Sequence, residues 1–252
     1  MDHVVVPKGY KSKYPYAPSG RMGDGNEDMQ YPDPLIYMAY LASVTTTIRL
    51  ATGILIIPQR NPIVAAKQIA TLDQLSGGRI DLGIGVGWLE EEFKAIGIPF
   101  VGRGKRTDEH IAAMRALWKN EFAEYHGDFV DFGPIFCRPQ PKNGSVPIIV
   151  GGHSKAAAKR AGRIGDGFFP ARGIPHDLFE IVRATAIENK RDPKEIEFTV
   201  SVPEDLNDIP ELEKSELKLG SIELVNVDSI DNKIKLKVVF LLKNHAEKTI
   251  TV

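Results

Sequence analysis

Between residues 48 and 200 the chain alternates short β-branched apolar runs with helical stretches, and this rhythm restricts the fold more than any other feature. The runs are Ile48–Ile57, Arg79–Val86, Val146–Val150, Gly167–Pro170 and Ile196–Val202. Such an order is what parallel βαβ units require, because a parallel neighbour is reached only by a crossover long enough to hold a helix. The intervening helices mark their own ends. Asn61-Pro62 opens one that runs through Ile63, Ala66, Ile69, Ala70 and Leu72 to Gly77-Gly78, and Asp33-Pro34 opens the one before it. Another, from about Thr107 to Lys119, sets Ile111, Met114, Leu117 and Trp118 on one stripe. Ser154 starts an alanine-rich helix ending near Gly165, and Pro175 starts one running to about Asn189.

Three stretches break the rhythm. Residues 8–32 are rich in Gly, Pro, Tyr and Ser and too long for an ordinary connector, which reads as a binding loop or lid, or as disorder. In 120–145, Tyr125-His126-Gly127-Asp128 reads as a turn between short strands, an excursion over a barrel face. After Pro203, Glu204–Lys218 is acidic and helical, and Ile222–Val227 and Ile234–Leu242 are strand-like runs joined by the turn Asp228–Asn232. So short a link makes a hairpin, hence antiparallel pairing, which a βαβ repeat does not contain. The expected division is a barrel domain over 1–220 and an atypical β-rich tail over 221–252.

A chain of 252 residues can hold one α/β barrel. Its 32 Lys+Arg against 33 Asp+Glu leave no long-range field to gather a polyanion, so nucleic acid is not an expected partner. No apolar run approaches the roughly 20 residues that cross a bilayer, and Met1-Asp2-His3 has no leader character. A cytoplasmic protein is expected, with no membrane partner. The lone Cys137 excludes an internal disulfide and reads as loop filler. His110 and His126 lack ligand-spaced partners, so no metal is expected, and no zincin, nucleophile-elbow or P-loop pattern occurs.

The stretch most informative about chemistry is Gly83-Ile84-Gly85-Val86-Gly87 at the end of a strand. Alternation puts the three glycines on one face, which is then bare main chain. Glycines weaken a strand, so something approaches closely: a neighbouring strand or a flat ligand. The adjacent run, Ala51-Thr52-Gly53-Ile54-Leu55-Ile56-Ile57-Pro58, also carries a glycine near its carboxyl end, the end at which parallel barrels bind ligands. In Val150-Gly151-Gly152-His153-Ser154 a strand passes into a helix N-terminus, which suits a phosphate or is a plain Ser N-cap after a tight turn. Arg172 either adds a positive charge there or is a solvated loop residue. His3 beside Asp2 offers an imidazole that a carboxylate could orient for proton transfer; the alternative is a terminal histidine without a role. Glu90, Glu91 and Glu92 read as the solvated first turn of a helix.

Residues 2–202, about four fifths of the chain, resemble the luciferase-like monooxygenase superfamily, particularly its F420-dependent oxidoreductases. The resemblance rests on Asp2-His3, then Thr52-Gly53-Ile54-Leu55 with Pro58, Arg60, Asn61 and Pro62, then Leu72-Asp73-Gln74-Leu75-Ser76-Gly77-Gly78-Arg79. It continues through Gly83 to Trp88 with Glu92-Phe93, Gly151-Gly152 and Gly165-Asp166-Gly167. It implies a (β/α)8 TIM barrel that binds coenzyme F420, or alternatively FMN, at its carboxyl end. In the family the third strand carries a bulge, often with a non-proline cis peptide, which props the cofactor ring; the matching bond here is Gly53–Ile54, after Thr52. Val86, Gly87 and Trp88 match positions lining the cofactor, and Gly151, Gly152, His153 and Ser154 match its phosphate-side loop, with Arg172 as added charge. His3 matches a histidine near the reactive ring, with Asp2 to orient it and Glu92 to help fix the cofactor loop.

The family pattern also puts Asp-His at the close of the second barrel strand. The barrel is therefore expected to be incomplete, lacking the first strand, first helix and most of the second strand, about 30 residues or more, and to carry an extra C-terminal β-hairpin. The implied activity is an F420- or FMN-dependent oxidoreductase acting on a small organic substrate that loops 8–32 and 120–145 cover, with a homodimer as the assembly to test. The alternatives are a non-catalytic fragment of such a barrel and a non-redox phosphate-binding lyase or isomerase. Trp88 stands where the sugar-phosphate dehydrogenase branch has a carboxylate, so that substrate is not expected.

Overall fold

The computed structural model describes residues 2–201 and the backbone of 218–219 and 241–243. The chain divides into two compact units, Met1–Ile148 and Ile149–Val252. The first contains α1 (Pro34–Val44), β1 (Leu50–Ala51), β2 (Leu55–Ile56), α2 (Pro62–Ser76), β3 (Ile80–Gly85), α3 (Glu90–Ala95), α4 (Arg103–Lys119), β4 (Ala123–His126) and β5 (Asp131–Ile135).

The run expected as one strand over Ile48–Ile57 is split. β1 and β2 each pair parallel with β3, Leu50 opposite Ile80 and Leu55 opposite Ile84; between them the Thr52 N–H still donates to Asp81 O at 3.3 Å, and Gly53 and Ile54 leave the ladder. β3 is buried along its whole length; its large apolar residues Ile80, Leu82 and Ile84 alternate with Asp81, Gly83 and Gly85, and the buried Asp81 carboxylate accepts from the Arg49 guanidinium. The Leu82 N–H donates to the Pro147 carbonyl at 2.8 Å, so β3 is bonded on both sides.

The helix ends follow the capping signals. Asp33 Oδ1 accepts from the N–H groups of Leu35 and Ile36, and Asn61 Oδ1 from those of Ile63 and Val64. Gly77, at φ 75°, closes α2. α4 starts at Arg103, ahead of the expected Thr107, because Gly102 turns the chain in at φ 79° with no capping side chain to mark it. Buried Trp118 donates its indole N–H to Ala66 O at 3.0 Å and fastens α4 to α2. The excursion over 120–145 is the expected hairpin, β4 pairing antiparallel with β5.

The second unit continues the βαβ rhythm with β6 (Ile148–Gly151), α5 (Lys155–Ile164), β7 (Gly167–Phe169), α6 (His176–Glu188) and β8 (Glu197–Ser201). β6, β7 and β8 are parallel, with Val150 opposite Phe168 and Phe168 opposite Phe198. A Cβ on Gly162 would lie 2.5 Å from Val182 O, so α5 and α6 pack at backbone distance. β9 (Lys218–Leu219) and β10 (Leu241–Lys243) add antiparallel pairing, β10 lying against both β8 and β9. Lys218, expected to end an acidic helix, is in a strand. The rest of that helix, the run 222–227, the turn 228–232 and the division at 220/221 lie outside the described residues. Among the described residues no helix is long and apolar enough to cross a membrane.

Candidate active site

Asp2 and His3 reach the interior of the first unit and do different things there. Asp2 is buried; its Oδ2 accepts the Ile56 N–H at 2.7 Å and its Oδ1 accepts from the Arg60 guanidinium at 3.0 Å. Arg60 also donates to Asp33 Oδ2 at 3.1 Å, so one guanidinium links Asp2 to the residue that caps α1. The expectation that Asp2 orients His3 is corrected: its oxygens serve the backbone of β2 and Arg60.

The group that orients His3 is Glu92. Its Oε2 lies 2.9 Å from His3 Nδ1, and its Oε1 accepts the N–H groups of Val4 at 2.6 Å and Val5 at 3.4 Å. The Glu92 side chain is fully buried and that of His3 is 4 % exposed, so the expected solvated turn has one member turned wholly inward. A carboxylate can only accept, so Nδ1 carries the hydrogen and Nε2 is left to take or give a proton. The ring faces Tyr31 at 5.7 Å and Trp88 at 5.9 Å between centroids. Trp88 in turn meets the edges of Tyr10 at 5.5 Å and Tyr14 at 5.1 Å. Burial pushes the phenols of Tyr14 and Tyr31 up from their ordinary range.

The bare face of β3 is not an open slot. A Cβ on Gly83 would fall within the carbonyl oxygen of Thr52, and one on Gly85 would fall on the Ile54 side chain. Thr52 Oγ1 also donates to Gly83 O at 2.6 Å. The glycines therefore seat the main chain of the segment between β1 and β2, which resolves the two open readings in favour of the neighbouring strand. Gly87, at φ 78°, approaches Phe93 and Ile56 instead. What the glycines support is a bulge. The Gly53–Ile54 peptide is cis, the bond expected, and Gly53 is exposed with Ile54 half-buried although Leu55 to Gln59 are buried. Val86, Gly87 and Trp88 are likewise half-buried after the fully buried β3.

In the second unit, Ser154 Oγ accepts from Ala157 N–H at 3.2 Å, so the plain N-cap reading holds. Gly151, Gly152 and His153 are half-buried, and buried His153 Nδ1 has no hydrogen-bond partner among the described residues. Arg172 is exposed on the loop after β7. Both side-chain amide atoms of buried Gln59 also lack a partner among the described residues. Such orphaned groups are where bound polar molecules or water complete a site. Cys137 is buried, and burial pushes its thiol up, consistent with packing and not reactivity. Among the described residues no group of His, Cys, Asp and Glu has metal-holding geometry.

Sequence reasoning missed Glu92 as the partner of His3, Arg60 as the link between two aspartates, and the tyrosines as a set. Separations of 89 residues between His3 and Glu92 leave no local periodicity to find. The only signal was composition, the tyrosines of the 8–32 stretch.

Residues 2–211 match the luciferase-like monooxygenase family. An uncharacterised protein of Mycobacterium tuberculosis is 37 % identical over 185 residues, 72 % of this chain and 62 % of its own length. The FMNH2-dependent dimethylsulfone monooxygenase of Pseudomonas putida is 38 % identical over 170 residues, 64 % of this chain and 46 % of the enzyme. Among solved structures, the coenzyme F420-dependent tetrahydromethanopterin reductase of Methanopyrus kandleri superposes with a TM-score of 0.61 at 26 % identity, covering 68 % of this chain and 54 % of that one. The chain thus spans about half to three fifths of the length of these relatives.

Proposed function

We propose, from the premise that this chain belongs to the luciferase-like monooxygenase family, that it is an oxidoreductase working with coenzyme F420, or with FMN, on a small organic substrate. The observation that carries this reading is the pairing of neighbours at the start of the chain. Asp2 holds Ile56, two residues past the cis bulge, while His3 is fixed on fully buried Glu92. A proton-handling imidazole is thereby tied to the strand whose bulge packs on β3 through Thr52 and Ile54 and leaves Gly53 exposed.

The residues fit such a cofactor. Thr52, Gly53 and Ile54, with Val86, Gly87 and Trp88, would meet its ring; Gly53, Ile54 and 86–88 are incompletely buried and leave surface for that contact, while buried Thr52 holds the bulge on β3. Gly151, Gly152 and His153 would serve its phosphate beside the Ser154 cap, a role taken from the motif match and supported by a His153 Nδ1 that has no partner among the described residues, and exposed Arg172 would add charge. When bound, the group supplies hydride chemistry at C5 of the deazaflavin or N5 of the flavin. The chain contributes orientation, exclusion of water and a proton held at His3 Nε2, with Glu92 keeping Nδ1 protonated and the ring in place. F420 is placed first on the motifs of the sequence; the relatives include users of either group.

Titration of the purified chain with F420 and with FMN, followed by fluorescence quenching, tests the proposal. Saturable binding of one at micromolar concentration supports it and selects the cofactor. Binding of neither overturns it and leaves the non-catalytic alternative.

A further inference from the structure

Helix α3 begins at Glu90 behind Leu89, which has no side-chain oxygen to cap it. The missing cap comes from far along the chain. Ser12 Oγ accepts the Glu90 N–H at 3.2 Å, and Glu91 Oε1 accepts the N–H groups of Lys11 at 2.6 Å and Ser12 at 3.1 Å. This is the reciprocal pattern of a capping box, hydroxyl to helix amide and carboxylate back to the capping residue's amide, made between two segments 78 residues apart.

Loop 8–32, for which disorder was one expectation, is organised around its own small core. Tyr10 and Met22 are buried; the Met22 N–H donates to the Tyr10 hydroxyl at 3.0 Å, and Arg21 donates to Tyr10 O at 2.7 Å and pairs with Glu27. Glu27 Oε2 accepts the Gly9 N–H at 2.7 Å, and Tyr14 N–H donates to Gly20 O at 2.9 Å. A loop packed in this way by its own side chains is a compact unit. It carries Tyr10 and Tyr14, whose rings rest on Trp88, and Trp88 borders His3.

We propose that Glu91 is a positioning residue: with Ser12 it latches loop 8–32 onto the start of α3 and so sets the Tyr10–Tyr14–Trp88 wall beside His3. Neighbouring carboxylates on one helical turn divide the work, Glu92 fixing His3 from within and Glu91 fixing the loop. The latch itself is independent of any cofactor; describing the wall as the substrate's rests on the function proposed above. The uncharged wall, with Arg21 engaged by Tyr10 and Glu27, suits an apolar or aromatic substrate and not a phosphorylated one.

The full chain tests this without turnover. Of its two tryptophans, Trp118 is buried and Trp88 half-buried, so iodide quenching reports mainly Trp88. Lys11 and Lys13 are exposed and offer trypsin a cut in the latched limb. Glu91→Ala is expected to raise the quenching constant roughly twofold and to speed cleavage at Lys11 and Lys13 about tenfold, with the far-UV spectrum retained. Glu91→Gln keeps an acceptor for both amides and restores most of the protection, which a general loss of stability would not do. Should Glu91→Ala fail to fold, Ser12→Ala is read the same way. Wild-type quenching and cleavage in a folded variant overturn the latch. Failure to bind F420 and FMN overturns the functional reading and leaves the latch standing.

Discussion

β3 of the first unit and the turn after β6 of the second both bring glycines to the carboxyl end of a parallel strand, and the two sets serve different ends. Gly83 and Gly85 are taken up by packing: the carbonyl of Thr52 and the side chain of Ile54 occupy the room their missing Cβ atoms leave. Gly151 and Gly152 lead into a capped helix, beside a histidine nitrogen that has no partner among the described residues. A glycine run therefore marks a close approach, and whether main chain or ligand makes it depends on what lies opposite.

The comparison breaks most readily at Gly83. Gly83→Ala is expected to cost about 4 kcal/mol or more, seen as loss of the folded state or a large drop in Tm, because the backbone oxygen of Thr52 cannot move aside. Gly133→Ala on β5, where nothing lies within 4 Å, is the control and should leave Tm within a few degrees. A tolerated Gly83→Ala would restore the open-slot reading.

Next in size is Glu92. Glu92→Ala strands the His3 ring in a buried setting, takes the acceptor from the Val4 amide and is expected to cost about 3 kcal/mol in denaturant unfolding. In an active enzyme Glu92→Gln should retain cofactor affinity yet lower kcat about a hundredfold, because its amide no longer holds His3 as a carboxylate does. On the second-unit side, Ser154→Ala removes a single cap and should cost about 1 kcal/mol, much less than Gly83→Ala.

The smallest effect is in acid. Burial pushes the Glu91 carboxyl up, but the Ser12 side chain and the Lys11 and Ser12 amides outweigh it and hold the group at about 2, below its ordinary 4.5. A depressed carboxyl stabilises the latched state above its ordinary value and loses that contribution as pH falls towards 2. The difference in iodide quenching between wild type and Glu91→Ala should therefore be constant above about pH 5 and shrink below it.

Much of this was legible along the chain. Asn61-Pro62, Asp33-Pro34 and Ser154 cap the helices they announced, since capping is decided within a few residues. The bulge position also followed from a motif in order. Periodicity alone read Ile48–Ile57 as one strand, and only that motif marked the place where the ladder is interrupted. The Asp2–His3 pair was found but its partners were misassigned: adjacency suggested Asp2 for His3, whereas backbone direction sends the two side chains to Ile56 with Arg60 and to Glu92.

What the amino-acid order settled alone is what local forces settle: the βαβ rhythm, the helix starts and stops, and the residue types available for proton transfer. Which carboxylate buries itself against His3, which one grips the loop, and what fills the glycine face depended on segments up to 89 residues apart meeting in one interior. Burial and hydrogen-bond geometry exist only once those segments are packed, so no reading of neighbours in sequence could supply them.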